Sequence, residues 1–234
     1  VKGSAYVFVR SGTMWAEQAK LVANDSAVND GFGAEVSLSG DTALVGAPFD
    51  DHALGLDAGS AYVFVRSGTT WTQQAKLVAS DAAIDDQFGF AVALDGDTAV
   101  VGSYRDDDGG LDSGSAYVFA RRGASWLEQA KLAASDAAGG DNFGIAVALA
   151  GDTALVGAFQ ADLAHGTNAG SAYVFVRNGG VWAEQVKLVA SDADEGDGFG
   201  WPVAMSGQTV LIGAPGNNEL GHLSGSAYVF VRNG

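Results

Sequence analysis

An eight-residue segment, Gly-Ser-Ala-Tyr-Val-Phe-Val-Arg, occurs five times in this chain with almost no change. The copies begin at Gly3, Gly59, Gly114, Gly170 and Gly225, so the repeat is 55 or 56 residues long. Repeats of this length are supersecondary units that bury their apolar faces against neighbouring copies. The 234 residues are therefore predicted to form a single repeat domain over 1–234, with repeats that start near Phe32, Phe88, Phe143 and Phe199.

Each repeat contains four short segments with strand character. Large and small residues alternate from Phe88 to Leu94, which indicates a strand, and Thr98 to Gly102 is predicted to return beside it after a turn. The segment 115–120 is apolar on both faces and is expected to be covered on both sides. The fourth segment, 126–132, has helix-favouring residues but is too short for a stable helix. We predict an outer strand there, with its repeated lysine on an exposed edge. The copies of this lysine are Lys20, Lys76, Lys131 and Lys187.

Four antiparallel strands in every repeat are typical of a β-propeller blade. We therefore predict an all-β fold, a β-propeller of four-stranded antiparallel blades with about four blades in this chain. A β-solenoid is the rival fold, but its coils are usually shorter, and two tight hairpins in each unit argue against it.

The ends of the chain leave two arrangements open. The sequence begins with the third and fourth strands of a repeat and ends with the first three. If the ends meet, residues 1–24 complete the last blade and a closed four-bladed ring has no open sheet edges. Otherwise the chain is an arc of a larger ring. Nearly identical blades also allow strand exchange between chains, and hence a homo-oligomer.

Composition excludes several classes of protein. The net charge is −16, with 28 acidic and 12 basic residues, which argues against nucleic acid and anionic membranes as partners. No run of 18 apolar residues occurs, so no membrane insertion is expected. There is no cysteine for a disulfide or a thiolate metal site. Because the chain begins inside a repeat, we expect it to be a segment of a longer or processed protein.

The start of each repeat resembles the motif of the FG-GAP repeat family. Phe32-Gly33 and Gly46-Ala47-Pro48 carry the motif in the first repeat. The second half recurs as Gly157-Ala158-Phe159 and Gly213-Ala214-Pro215, and it is eroded to Gly102-Ser103-Tyr104 in one copy. Known members of the family include the propeller of integrin α subunits and many bacterial surface or secreted proteins. The resemblance implies a propeller, an extracellular or cell-surface location and a role in adhesion or binding.

The calcium loop of integrin-type repeats, Asp-x-Asp-x-Asp-Gly between the first two strands, is absent at the matching positions. Tight turns such as Ser39-Gly40-Asp41 and Asp95-Gly96-Asp97 stand there instead. A turn this short cannot supply the six to eight oxygen ligands that calcium prefers. We therefore do not transfer the calcium site of the family to these turns.

Acidic residues are concentrated in two classes of loop that a meander places at one end of the blades. Eleven lie before the Phe-Gly pairs and nine before the Gly-Ser-Ala-Tyr segments, out of 28. Such a face attracts cations and basic ligands. Two loops are candidate calcium sites, although a solvated polar turn explains the same residues. Their acidic residues are Asp50, Asp51 and Asp57 in one loop and Asp106, Asp108 and Asp112 in the other.

Some residues follow the repeat and are therefore predicted to be structural. Pairs of aspartates five residues apart, such as Asp81 and Asp86, are expected to pin their loop to backbone N–H groups. The periodic tryptophans are expected to pack in the core or between blades. They are Trp15, Trp71, Trp126 and Trp182.

Other residues break the repeat, and we expect function there. Trp201 replaces Ala34, Phe90 and Ile145 of the other repeats, and Glu35 stands where two repeats have alanine. These positions begin the innermost strand, near the mouth of the central channel. We predict a ligand site there formed by Glu35, Phe90 and Trp201, with filling of an uneven channel as the alternative. The three histidines, His52, His165 and His222, form no motif.

No nucleophile elbow, zinc-protease helix or phosphate loop is present. The leading hypothesis is a non-enzymatic extracellular binding or adhesion module that presents an acidic loop face to a protein, a glycan or a divalent cation such as Ca²⁺. The alternative is a structural scaffold, a self-associating propeller segment that completes a ring between chains. An enzyme such as a lyase or glycosidase is a third hypothesis, because propellers host both.

Overall fold

The computed structural model describes residues 2–164, 166–219 and 221–232. These residues form seventeen strands in five antiparallel sheets, which confirms the all-β prediction. In the described part of the chain, no helix is long and apolar enough to span a membrane.

The strands follow the repeat along the chain. An N-terminal hairpin consists of β1 (Ala5–Ser11) and β2 (Met14–Leu21). The first complete sheet contains β3 (Val36–Ser39), β4 (Thr42–Ala47), β5 (Ser60–Ser67) and β6 (Thr70–Leu77). The second contains β7 (Ala91–Asp95), β8 (Thr98–Ser103), β9 (Ser115–Arg122) and β10 (Ser125–Leu132). The third contains β11 (Ala146–Ala150), β12 (Thr153–Ala158), β13 (Ser171–Asn178) and β14 (Val181–Leu188). The last sheet contains β15 (Val203–Ser206), β16 (Thr209–Ala214) and β17 (Ser226–Val231).

Each complete sheet is a propeller blade whose four strands pair in chain order. The first strands contact one another from sheet to sheet, β3 with β7, β7 with β11 and β11 with β15, so they lie innermost. The fourth segment of each repeat is a strand at the outer edge, as predicted. The third strand is buried on both faces from Ser60 to Phe64, also as predicted.

The first strand begins later than the sequence pattern suggests. The pattern predicts a strand from Phe88, whereas β7 begins at Ala91. Phe88 instead forms a parallel bridge with Gly59 of the preceding repeat. Its buried ring packs edge-on against Tyr117 and Phe119, with ring centroids 5.5 and 5.9 Å apart. The alternation of large residues therefore reflects the packing of this anchor as well as the pleat of the strand.

Neighbouring blades approach so closely that glycine is required between them. A Cβ on Gly102 at the end of β8 would overlap the carbonyl oxygen of Gly144 in the next repeat. Gly46 and Gly157 meet the Phe-Gly segments that follow them in the same way. Gly46, Gly102 and Gly157 thus allow the backbones of two blades to touch.

The described sheets form an arc and not a closed ring. The hairpin β1–β2 is a separate two-stranded sheet, and the sheet β15–β17 has three strands. The predicted composite blade, in which residues 1–24 complete the last blade, is not formed. Of the two arrangements that the sequence leaves open, the structure adopts the arc.

Candidate functional site

The three residues predicted at the channel mouth lie together. Glu35, Phe90 and Trp201 line one cavity of about 290 Å³ between the first strands of successive blades. Ala34, Ile145 and Pro202 complete its axial end. The residue that follows each Phe-Gly pair therefore points toward the same space.

The Phe-Gly pairs explain this convergence. The phenylalanine of each pair is buried, and the glycine N–H donates to the glycine carbonyl of the returning strand, as in Gly33 to Gly46 at 2.9 Å. Gly89 makes the same bond to Gly102 at 3.0 Å. Because two adjacent residues are held in this way, the next residue enters the innermost strand with a fixed direction.

Two aromatic residues that the sequence analysis did not single out support the cavity. The ring of Phe159 lies 6.0 Å from that of Trp201, and the ring of Tyr104 lies 4.5 Å from that of Phe90. Both replace the proline of the Gly-Ala-Pro segment, so the erosion of this motif was the signal that could have identified them. Trp201 is 45% exposed and offers a free aromatic face.

Glu35 is the one carboxylate among the residues that line this cavity. Partial burial raises the pKa of the Glu35 carboxyl above its usual value. A carboxylate with reduced hydration beside open aromatic faces suits a cationic group, which gains from both the charge and the ring quadrupole.

The calcium candidates Asp106 and Asp108 surround a lysine. Lys131 Nζ lies 2.9 Å from Asp106, 2.6 Å from Asp108 and 2.8 Å from Asp81. Among the described residues, these three aspartates form a group close enough to hold a metal ion. The ammonium group occupies its centre, and the buried carboxylate of Asp106 also accepts bonds from the hydroxyls of Ser115 and Tyr117.

The other calcium loop has the same construction. The buried Asp50 accepts a bond from the hydroxyl of Ser60 at 2.6 Å and pairs with Lys76 at 2.7 Å. Asp51 accepts the backbone N–H of Asp57 at 2.8 Å, and Asp107 likewise accepts the N–H of Asp112 at 2.7 Å. A lysine ammonium stands beside the buried carboxylate of each loop, Lys76 beside Asp50 and Lys131 beside Asp106. The calcium sites stay a prediction from the sequence.

The repeated lysines have a different role from the one expected. We expected them to protect an exposed sheet edge, whereas Lys76, Lys131 and Lys187 are partly buried and reach across the junction between two blades. Each pairs with an aspartate about fifty residues earlier, at 2.7 to 2.8 Å. Each also lies 5.2 to 5.3 Å from the ring centroid of a third-strand tyrosine. The sequence showed the period of these lysines, but the partners come from separate loops.

The predicted pinning aspartates are confirmed. The second aspartate of each pair accepts the backbone N–H three residues before it, as in Ala83 to Asp86 at 2.6 Å and Ala138 to Asp141 at 2.9 Å. In three of the pairs, the first aspartate (Asp25, Asp81 or Asp136) is the lysine partner.

The tryptophans also follow the prediction where a preceding blade exists. Trp126 and Trp182 are buried, and the indole N–H of each donates to a glutamine on the outer strand of the preceding blade.

The histidines form no cluster in the described residues. His52 Nε2 lies 3.1 Å from the carbonyl oxygen of Gly59, and His222 is exposed. His165 lies outside the described residues.

Comparison with known families agrees with the geometry. The model of the FG-GAP repeat matches four times, at residues 15–64, 71–119, 126–175 and 182–230. Each match begins with the outer strand of one blade and ends with the third strand of the next. No curated protein matches the chain in sequence. The four matches span most of the 234 residues, and the chain belongs to the FG-GAP repeat family.

Proposed function

We propose that this chain is a non-enzymatic extracellular binding or adhesion module that presents an acidic loop face to its ligand. The observation that carries the proposal is the axial cavity, where Glu35, Phe90 and Trp201 from three different repeats line one space. Of the ligand classes suggested by the sequence, we favour a protein with basic side chains, because a carboxylate beside open aromatic rings suits a guanidinium or ammonium group.

The loops around the cavity favour the same ligand class. The loops before the Phe-Gly pairs bond directly to the loops before the third strands, as in Asp85 N–H to the carbonyl of Leu56 at 2.9 Å. This contact supports the proposal that both acidic loop classes lie at one end of the blades. Several of their carboxylates are paired with lysine, but Asp51, Asp57 and Asp107 are exposed and have no ion pair among the described residues. Such a field attracts a basic surface before contact is made.

A basic peptide provides a direct test. We would titrate a peptide of alternating glycine and arginine, and separately a neutral oligosaccharide, into the protein at low salt by calorimetry. We expect the peptide to bind and Glu35→Gln and Trp201→Ala each to weaken binding about five- to ten-fold. Asp97→Asn, which changes an exposed carboxylate on a turn between the first two strands, is the matched control and should leave binding unchanged.

Two results would contradict the proposal. One is the absence of peptide binding to the unmodified protein. The other is equal binding by all variants, since the ligand would then not use the cavity. Binding of the oligosaccharide alone would replace the basic protein by a glycan as the ligand class.

A second candidate function is a structural one, in which copies of the chain complete a ring. The exposed ends of the arc favour it. Trp15 is 66% exposed, whereas Trp126 and Trp182 are each 8% exposed. Tyr6 and Phe8 at one end, and Val229 and Val231 at the other, are also exposed although their equivalents in the complete blades are mostly buried.

A further inference from the structure

A groove of about 370 Å³ lies between the outer strand β14 and the last sheet, β15–β17. Its apolar lining comprises Val174, Val186, Leu188, Met205, Val210 and Phe230. Gln185 stands at its edge.

The same positions in the preceding repeats enclose a tryptophan. Two repeats earlier, they are Val63, Ala75, Leu77, Leu94, Ala99 and Phe119, which form one packed cluster around Trp126. One repeat earlier, the equivalent cluster contains Trp182. Trp71 packs against the equivalent cluster at the first junction, so the groove is the fourth of a series of tryptophan slots, and we call it the terminal slot. Its position in the series identifies the side chain that would fill it.

Three further contacts recur at the blade junctions. The tryptophan N–H donates to a glutamine of the preceding blade, as in Trp182 to Gln129 at 3.1 Å. A lysine pairs with an aspartate, as in Lys187 with Asp136 at 2.7 Å. In two junctions a glutamate accepts a serine hydroxyl of the preceding blade at 2.9 Å.

The C-terminal end of the arc carries one half of this set, which we call the acceptor half because its glutamine and aspartate accept bonds, although its serine donates one. Gln185, Ser191 and Asp192 are the repeat equivalents of the glutamine, serine and aspartate that take part in these contacts at the inner junctions. Asp192 already accepts a bond from the Tyr228 hydroxyl at 2.7 Å, as its interior equivalents do from their own tyrosines. Among the described residues, Asp192 has no ion pair.

The N-terminal hairpin carries the donor half. Trp15, Glu17 and Lys20 on β2 match the tryptophan, glutamate and lysine of the inner junctions. Trp15 is exposed, and within the described part of the chain Lys20 has no acidic partner. The chain therefore has an unused donor set at one end of the arc and an unused acceptor set at the other.

We propose that a second copy of this chain fills the terminal slot, with its β2 as the outer strand of the sheet β15–β17. Trp15 of that copy enters the slot and meets Gln185, Lys20 meets Asp192, and Glu17 meets Ser191. The inference rests on the second candidate function and is independent of the axial cavity. Since the donor and acceptor surfaces differ, two copies placed head to tail close a ring of about eight blades.

One third strand is displaced at each junction. β1 and β17 carry the same Ala-Tyr-Val-Phe-Val sequence and occupy the same place beside β2 in the composite blade. The backbone bonds from β1 to β2 are thus exchanged for equivalent bonds to β17, with little net gain. The association is driven by the side chains, above all by the burial of Trp15 in a preformed apolar slot.

The test is the mass of the full chain in solution, measured by light scattering over a range of concentrations. We expect a species of twice the mass of one chain. Trp15→Ala should raise its dissociation constant at least about thirty-fold, because the slot then stays unfilled. Leu111→Ala, which shortens another highly exposed apolar side chain in a loop of the second blade, is the matched control.

A charge exchange separates this contact from a general effect on stability. Lys20→Asp alone should weaken the dimer about ten-fold, and the double variant Lys20→Asp with Asp192→Lys should restore it. A monomer at all concentrations would overturn the proposal, including the case in which the chain closes on itself. A dimer that is unaffected by both Trp15→Ala and Lys20→Asp would overturn it as well, since association would then use another surface.

Discussion

Asp86 allows a test of how the loops before the Phe-Gly pairs are held. The residue is 3% exposed, and its carboxylate accepts the backbone N–H of Ala83. Burial is the main cause that raises its pKa from 3.8 to about 6, and the nearby charges of Asp106 and Asp107 add to it. One pKa unit corresponds to about 1.4 kcal/mol, so the ionised form costs about 3 kcal/mol in the folded protein.

The direction of the pH dependence follows from this shift. The folded protein holds the proton more tightly than the unfolded chain does, so this group contributes stability that is fully present below about pH 4. The contribution is lost as the pH rises through about 6. Asp86→Asn removes the charge and keeps an oxygen that can accept the Ala83 N–H. We expect the free energy of unfolding of the variant to be about 1 to 2 kcal/mol higher at pH 8. The gain is smaller than the full cost of the buried charge, because the new amide hydrogens are themselves buried.

Urea unfolding followed by tryptophan fluorescence from pH 4 to pH 8 measures the difference in free energy of unfolding between the variant and the unmodified protein. The difference should be near zero at pH 4 and should grow toward pH 8. Asp141→Asn is the matched variant in the next repeat, where burial also raises the pKa, and it should show a smaller effect of the same sign. A difference that is constant with pH, or that widens as the pH falls, would refute the reasoning.

Three other changes test the packing between blades and the acidic loops. Lys131→Met should lower the free energy of unfolding by about 2 to 3 kcal/mol, because the buried charge of Asp106 loses its partner; chemical denaturation measures it. Gly102→Ala should lower the free energy of unfolding by more than about 3 kcal/mol or prevent folding, since the new methyl group would overlap the backbone of Gly144. Millimolar calcium should leave the melting temperature within about one degree of its value without calcium, because lysine ammonium groups already pair with the buried carboxylates of the acidic loops.

Each of these predictions has a result that contradicts it. A Lys131→Met variant as stable as the unmodified protein would mean that the aspartates do not depend on the ammonium. Full stability of Gly102→Ala would show that the blades are farther apart than described. A large rise in melting temperature with calcium, and not with magnesium, would restore the calcium site that the sequence suggests.

Local features of the chain were predictable because they depend on short stretches of sequence. The strand character of each segment, the pinning role of Asp86 and the buried state of Trp126 all follow from the repeat and from residue chemistry. The role of Lys131 was not predictable, since its partners Asp81 and Asp108 lie on separate loops. The start of β7 was also missed, because Phe88 continues the alternation but packs as an anchor before the strand.

The residues of the candidate site were also predictable only in part. A break in the repeat was enough to indicate Glu35, Phe90 and Trp201, because residues that serve the fold obey its period. Phe159 and Tyr104 were missed, although both replace the repeated proline, because the rings that they contact lie elsewhere in the chain.

By itself, the sequence determined a repeated four-stranded unit, because alternating apolar residues, tight turns and a period of 55 or 56 residues permit few other folds. Whether the repeats close was decided only by the tertiary structure, since closure depends on how far each sheet turns relative to the next. A near-identical octapeptide at both ends is compatible with a ring and with an arc. The arc leaves one tryptophan slot empty and one of the periodic tryptophans, Trp15, exposed, and neither follows from the sequence before the sheets are packed.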